Sequence, residues 1–260
     1  MKLLTLNCRG LNGQLKRHLY FSTFLKHDII CLQETYITAK NVELWKSEWE
    51  GDFFYCFGTS NSKGQIILIN KRFSCEESSD LQIDDRCIGI SFFASEKKFV
   101  IFNVYVPSVR GERVNYLHAL TDKLKKLKLS NDTHLILCGD MNMVLDNHLD
   151  VISGDLHPNR EIIAFSKFLN EFKLTDCWRL KHAAERDFCW SRHNPFIARR
   201  LDYCLCSKNL KPLTIQSTLQ QFSFTDHKAV TSIFNIEDFP RGPGKWYFND
   251  LLLDVNMTYL

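Results

Sequence analysis

"LILCGDMNMVLDN", Leu135 to Asn147, opens as an unbroken apolar run and then delivers Gly139, Asp140, Met141 and Asn142 in succession. Leu135, Ile136, Leu137 and Cys138 read as a core strand. Gly139 permits a tight backbone exit at its end. Asp140 and Asn142 occupy alternate positions and can face the same way. A strand that carries a carboxylate and a carboxamide to one end raises the question of what else arrives there.

Working outward, similar runs recur: "KLLTLNC", "DIICLQET", "QIILIN", "IGISFFA", "KFVIFNVYV", "RLDYCLCS" and "HKAVTSIFNI". They combine β-branched, aromatic and leucine residues between polar or glycine breaks. Helical spacing is rarer. It appears in "RVNYLHALTDKLKKLKL" through Val114, Leu117, Leu120, Leu124 and Leu127, and in "EIIAFSKFLNEFKL" through Ile162, Phe165, Phe168, Leu169 and Phe172. A third helix is expected from about Gln14 to Lys26, with Leu15, Leu19 and Leu25 facing inward. Many strands with few helices predict an α/β (α+β) fold of two packed sheets with helices outside, not a barrel of eight βα repeats. Residues 1–238 read as one domain. After "SIFNIEDF" the segment "PRGPGKWYFND" breaks all periodicity, so 239–260 reads as a tail or linker.

Composition bounds the chemistry. The 260 residues are 45% hydrophobic and 24% charged, enough to bury a core without staples. A formal charge of +3 means that an anionic partner must be met by a local patch. The ten cysteines are scattered, form no CxxC pair and often sit inside apolar runs, which predicts buried reduced thiols and neither zinc nor a disulfide scaffold. The chain starts directly on a strand pattern, without a signal peptide or membrane span, so an intracellular protein with no membrane partner is expected.

The strand assignments place polar residues in a pattern. Asn7 ends "KLLTL", Glu34 follows "DIICLQ", and Tyr105 lies near the end of "FVIFNVYV". Asp140 and Asn142 follow "LILCG", Asp202 sits in "RLDYCL", and Asp226–His227 precede "KAVTSIF". Carboxylates with asparagine oxygens form a hard, oxygen-only donor set suited to Mg²⁺. A histidine held as imidazolium by a carboxylate can stabilise a transferring phosphoryl group, and an aspartate free of metal can deprotonate water. Singly, each residue has a plainer reading: Asn7 as a turn cap, Glu34 as a loop charge, Tyr105 as a core aromatic, Asp202 as an edge-strand charge. Their joint order points to metal-assisted phosphodiester hydrolysis.

In chain order, "TLNCRGL", "DIICLQET", "NVYVP", "CGDMN", "RLDYCL" and "FTDHKAV" resemble the motif series of the exonuclease–endonuclease–phosphatase superfamily. Within it, "GLNGQLKRHLYFSTFLKHDIICLQETYI" and "GDMNMVLDNHLDVISG" are similar to the apurinic-endonuclease-like domain of LINE-type (non-LTR) retrotransposon polyproteins, and "RGPGKWYFNDLLL" resembles the segment leading from it toward the polymerase. The resemblance implies a four-layer αββα sandwich with one divalent-metal site at its rim. It implies Glu34 as principal Mg²⁺ ligand (Mn²⁺ as the alternative ion) with Asn7 supporting it and Asp226 close to the metal. Asp140 would position or deprotonate water, Asn142 would help orient it, and Tyr105 would contact the scissile phosphate. His227, its ring oriented by Asp202, would stabilise the developing charge. Two departures stand out: Arg9 occupies a position that is acidic in the repair branch, and Ser108 replaces the asparagine of "YVPN". Both are expected at DNA phosphates.

The implied substrate is duplex DNA, nicked on one strand to leave a 3′-hydroxyl that primes reverse transcription. Element RNA and a polymerase region are partners only if the native chain continues; no small-molecule cofactor is expected. Action in the nucleus after cytoplasmic synthesis follows from that setting. Lys16, Arg17, His18, Arg110, Arg113, Arg199 and Arg200 are the candidate phosphate contacts, with Arg110, Arg199 and Arg200 favoured because they flank motif residues. "RHNPFIARR" (192–200) is the candidate to enter a groove. The alternatives are an abasic-site repair endonuclease, a phosphatase of the same superfamily, and a DNA-binding module without activity.

Overall fold

The computed structural model describes residues 1–94 and 96–236; the expected tail over 239–260 lies outside them. Its strands are β1 (Lys2–Asn7), β2 (Ile29–Gln33), β3 (Gly51–Gly58), β4 (Lys63–Asn70), β5 (Glu76–Asp84), β6 (Cys87–Ala94), β7 (Lys97–Tyr105), β8 (His134–Asp140), β9 (Val151–Ile152), β10 (Leu174–Asp176), β11 (Trp190–His193), β12 (Phe196–Arg199), β13 (Asp202–Ser207), β14 (Thr214–Gln221) and β15 (Lys228–Phe234). The α-helices are α1 (Gln14–Phe24), α2 (Val42–Ser47), α3 (Arg110–Lys126), α4 (Asn147–Asp150), α5 (Asn159–Glu171) and α6 (Cys177–Lys181).

One six-stranded sheet runs β14-β15-β1-β2-β4-β3 and a second runs β10-β13-β8-β7-β6-β5. Each contains one parallel pair, β1 with β2 and β7 with β8, among antiparallel neighbours. Residues of both sheets meet in one buried cluster that includes Leu3, Cys31 and Ile67 from the first and Ile101, Ile136 and Cys204 from the second. The outer face of the second sheet packs on α3 and α5 through Leu117, Leu120, Phe165 and Phe168. The outer face of the first packs on α1 and α2 through Tyr20, Phe24, Val42 and Trp45. The layers are therefore helix, sheet, sheet, helix, as expected.

A polar link lies deep between the sheets, beneath the rim. Gln33 Nε2 donates to Asn103 Oδ1 at 2.6 Å, and Asn103 Nδ2 donates to the carbonyls of Leu32 and Ile66. Both side chains are fully buried. Because polar groups in such a place are costly unless paired, this bond ties β7 to β2 and β4 at one offset.

The inner face of α1 differs from the expectation. Leu15, Leu19 and Leu25 are exposed, while Arg17, Tyr20, Phe21 and Phe24 form the inner face of α1. Aromatic area won over leucine spacing, and Arg17 is carried inside by a bidentate bond to Glu48 (Nη2–Oε1 2.7 Å). The cysteine expectation stands: all ten are free and all but Cys75 are buried. Among the described residues, no helix is long and apolar enough to cross a membrane.

Topology gathers the polar strand ends. Parallel β1 and β2 end together, with Asn7 opposite Gln33, the residue before Glu34. Parallel β7 and β8 do the same, with Tyr105 opposite Asp140. Antiparallel β13 begins where β8 ends, so Asp202 pairs with Asp140. His227 stands just before β15, which begins where its antiparallel neighbour β1 ends. Six chain segments thus reach one rim.

Candidate active site

A cavity of about 290 Å³ at that rim is lined by Asn7, Glu34, Asp140, Asn142, Asp226 and His227, with Arg9, Ser108, Trp190 and Arg199 also in its wall. β8 reaches it through Gly139, whose φ is +133°. A side chain there would place a Cβ 2.0 Å from the Val104 carbonyl oxygen, so the close approach of β7 and β8 requires glycine. Asn142 takes a left-handed φ of 49°, and its backbone N–H donates to Asp140 Oδ1 at 2.9 Å. This local turn explains how the tetrapeptide folds the carboxamide back over the carboxylate. Asn142 Nδ2 donates to the Val106 carbonyl at 2.9 Å and reaches Asp140 Oδ2 at 3.3 Å, which leaves its Oδ1 as a free acceptor.

Asn7 bridges the two sheets: its Nδ2 donates to Glu34 Oε1 and to Asp140 Oδ2, both at 3.0 Å. Glu34, itself at φ 50°, also accepts the Tyr105 hydroxyl at 2.6 Å. Burial, followed by the charges of Glu34 and Asp140, holds the Tyr105 hydroxyl protonated well above its usual range. Its one proton is committed to Glu34, so Tyr105 sits behind the cavity as the support of that carboxylate. Tyr36 adds a longer bond to Glu34 Oε2 at 3.4 Å, a contact that sequence reading missed.

Asp202 and His227 form a buried pair, with His227 Nδ1 2.8 Å from Asp202 Oδ2. Burial alone would lower the imidazole. The charge and hydrogen bond of Asp202, helped by Asp140 and Asp226, outweigh it and raise His227 to about 9. Asp140 moves the opposite way for a carboxylate. Burial and the charge of Asp202 raise it to about 7, against the lowering by His227 and Asn7. The two titrations belong to one coupled cluster.

The donor set fits a divalent cation. Glu34, Asp140 and Asp226 line one small volume, and Asp202, buried behind Asp140 with its Oδ1 unpartnered, adds a fourth carboxylate next to it. Burial first, and then the charge of Asp202, raise Asp140, and a hard cation would favour its anion. Atoms of Asp140, Asp202 and His227 also lie within 4.8 Å of one another, a spacing that could hold a metal. The bond between His227 Nδ1 and Asp202 already uses two of those groups, which leaves Glu34, with Asn7 beside it, as the more available oxygen site.

The remaining expectations divide. Arg9 and Asp226 meet in an ion pair at 3.2 Å, and Asp226 Oδ2 also accepts Trp190 Nε1 at 3.0 Å. That carboxylate faces the cavity with its Oδ2 already held by two donors; Trp190 gave no signal in the sequence. Arg199 and Ser108 reach the cavity wall, whereas Arg110 lies in a neighbouring groove. Arg200 is a correction. It is 1% exposed and holds Asp150 through Nε at 2.9 Å and Asp176 through Nη1 at 2.6 Å, with its guanidinium over Trp178 and Tyr203. It cannot meet DNA; it is the buried strut under the rim. Arg17 is corrected for the same reason; Arg113 does line the cavity, but its guanidinium is spent on Glu161 at 3.1 Å and on the carbonyls of Pro107 and Ser108. Lys16 spends its ammonium on the carbonyls of Cys8, Arg9 and Phe224.

Comparison with known proteins agrees with this geometry. A Xenopus laevis transposon TX1 uncharacterized 149 kDa protein is 25% identical over 98% of this chain, which spans 20% of that protein's length. An exodeoxyribonuclease of Bacillus subtilis is 29% identical over 91% of this chain and 100% of its own. Among solved structures, an AP endonuclease from Archaeoglobus fulgidus matches with a TM-score of 0.72 at 19% identity, covering 91% of this chain and 100% of its own. A Neisseria 3′ phosphatase, NExo, bound to product DNA hairpin matches at 0.68 and 19%, covering 90% and 99%. The two solved structures share the two-sheet sandwich described above. Residues 4–227, which hold every strand end that builds the rim, match the model of the Endonuclease/Exonuclease/phosphatase family, and to that family the chain belongs.

Proposed function

We propose that the chain is a divalent-metal-dependent endonuclease that hydrolyses one phosphodiester in one strand of duplex DNA. The observation that carries this reading is the pairing of a carboxylate raised to about 7 with an imidazole raised to about 9 on one small cavity. At mildly basic pH, between the two values, Asp140 is largely an anion and His227 largely a cation. A base and an electrostatic acid of that kind suit attack of water on a phosphodiester.

Asp140 takes the proton of a water oriented by the free Asn142 Oδ1. The imidazolium of His227 meets the charge that develops on the phosphate, and Asp202 keeps it protonated and aimed. Glu34, with Asn7, would hold Mg²⁺ or Mn²⁺, which when bound neutralises phosphate charge and stabilises the leaving oxygen. Asn7 spaces the Glu34 and Asp140 carboxylates through its two hydrogen bonds. Arg9, in its pair with Asp226, adds a fixed cation at the same wall.

The likeness to the transposon TX1 protein, together with the retrotransposon motifs, supports a role in which the nick supplies a 3′-hydroxyl for reverse transcription, inside the nucleus, within a longer polyprotein. Incubation of supercoiled plasmid with Mg²⁺ tests the activity, and mapping the nick ends tests the strand chemistry. Relaxed circles with extendable 3′ ends are expected. Phosphate release from soluble monoesters without nicking would replace this reading by a phosphatase. A strong preference for an abasic duplex over an intact one would replace it by a repair enzyme.

A further inference from the structure

A second groove, of about 540 Å³, lies against the catalytic cavity and shares Trp190 and Arg199 with it. It is walled by Arg110 at the start of α3 and by Arg192 and Arg199 from the β11–β12 hairpin, with Asp155 as its one acid. The cations are under-neutralised. Arg110 stands 3.9 Å from Asp155, whose side chain is 87% exposed, and Arg199 donates Nη2 to the Asp155 backbone carbonyl, not to the carboxylate. Arg199 Nε is buried without a partner. On the catalytic-cavity side, His157 is 3% exposed and bonds Glu161 through Nδ1, while its Nε2 has no partner. The α3 N-terminus beside Arg110 has no side-chain cap, so its first N–H groups add to the positive end. Arg199 feels the mutual repulsion: burial first, then Arg110 and Arg113, lower its proton affinity.

We infer that this groove is a second phosphate subsite, built by Arg110, Arg192 and Arg199, which holds the phosphodiester next to the scissile one. The inference rests on the proposed nuclease reading and deepens it. Three guanidiniums around one exposed acid match a diester anion, and the Trp190 face gives the intervening sugar or base an apolar bed. A subsite one phosphate away is filled only where the strand continues on that side of the scissile bond.

The test uses duplexes carrying one neutral methylphosphonate at each position around a mapped nick, with wild type and the exposed-residue variant Arg192→Ala, which breaks no bond seen here and keeps the protein folded. For wild type, one flanking methylphosphonate is expected to slow cleavage by roughly tenfold or more, the worth of one charge-assisted contact. Arg192→Ala is expected to cleave normal duplex correspondingly more slowly and to lose much of its sensitivity to that position. In EDTA, where binding is read without turnover, its log–log salt slope is expected to be shallower by about one. Arg110→Ala should behave alike. Wild type that tolerates every flanking methylphosphonate overturns the subsite, as does a variant whose sensitivity and salt slope match wild type. Wild type that binds duplex but fails to nick at all would instead remove the nuclease reading.

Discussion

Substitution of Asp202 by asparagine should move the whole pH profile, not merely lower it. Free of metal, Asp140, which must be ionised, is raised to about 7 and His227, which must be charged, to about 9; a bound cation favours the Asp140 anion, so the acid limb of kcat/KM is expected at or below about 7 and the basic limb near 9. A pH of about 8 lies between the two limbs. Asp202 supports both values: its charge raises His227 against burial, and it is the second cause, after burial, of the raised Asp140. The His227 shift from its ordinary value corresponds to roughly 3 kcal/mol in favour of the imidazolium. Loss of Asp202 removes the two largest raising contributions and leaves burial opposed only by Asp140 and Asp226, so the imidazole falls; one returned to the ordinary 6.5 is only about 3% charged at pH 8. Asp202→Asn should then lose roughly thirtyfold or more in plasmid-nicking kcat/KM at pH 8 and show an optimum on the acid side of 7. Nicking rates from pH 5.5 to 10 at saturating Mg²⁺ give the profile, and NMR titration of the metal-free imidazole gives His227 directly. A variant that keeps its basic limb near 9, or drops uniformly without a shift, would refute the assignment of Asp202 as the group that charges His227.

Other substitutions separate stability from chemistry. Asp140 is raised in the folded protein, so folding loses stability as pH climbs from about 4 through about 7; metal-free Asp140→Asn should be more stable than wild type by roughly 4 kcal/mol at pH 8 in urea denaturation, equal to it near pH 4, and inactive. His227 adds to the same slope, since its raised value stabilises the fold fully below 6.5 and ceases to do so as pH passes about 9; wild-type urea midpoints should fall across that window, and those of His227→Gln much less. Arg200→Met leaves Asp150 and Asp176 buried without their shared cation and should cost about 3–5 kcal/mol, while the salt slope of DNA binding stays unchanged; a normal stability with a shallower slope would restore Arg200 as a DNA contact. Gly139→Ala must separate β8 from the Val104 carbonyl and should cost more than about 3 kcal/mol or leave the protein insoluble, as read from expression and thermal unfolding.

Much of the fold was legible because its central strands carry long apolar runs. β5 and β14 were not: "EESSDLQID" and "TIQSTLQQ" are edge strands with largely exposed or mixed faces, so periodicity carried little signal. The inner face of α1 was misassigned because Leu15 and Leu19 fit a helical stripe as well as Tyr20, Phe21 and Phe24 do, and only packing distinguishes them. In the site, Asn7, Glu34, Asp140, Asn142 and His227 were found because each ends a recognisable strand and topology then brings those ends together. Arg200 misled because adjacency to Asp202 in sequence says nothing of Asp150 and Asp176, which arrive from 50 and 24 residues away. Trp190 and His157 lie in segments without periodicity, and their significance depends on partners that no local pattern reveals.

The Gln33–Asn103 link bears on how such a site ages and fails. Asn7 and Glu34 travel with one sheet, Tyr105 and Asp140 with the other, and apolar packing between sheets offers no strong preference among small slides. A fully buried amide pair does, because any slide strands both groups away from water. Gln33 directly precedes Glu34, and Asn103 lies two residues before Tyr105, so the pair works as a vernier set just beneath the cutting edge. Loss of the pair would yield a protein that is folded by every bulk measure and yet has its two half-sites out of alignment.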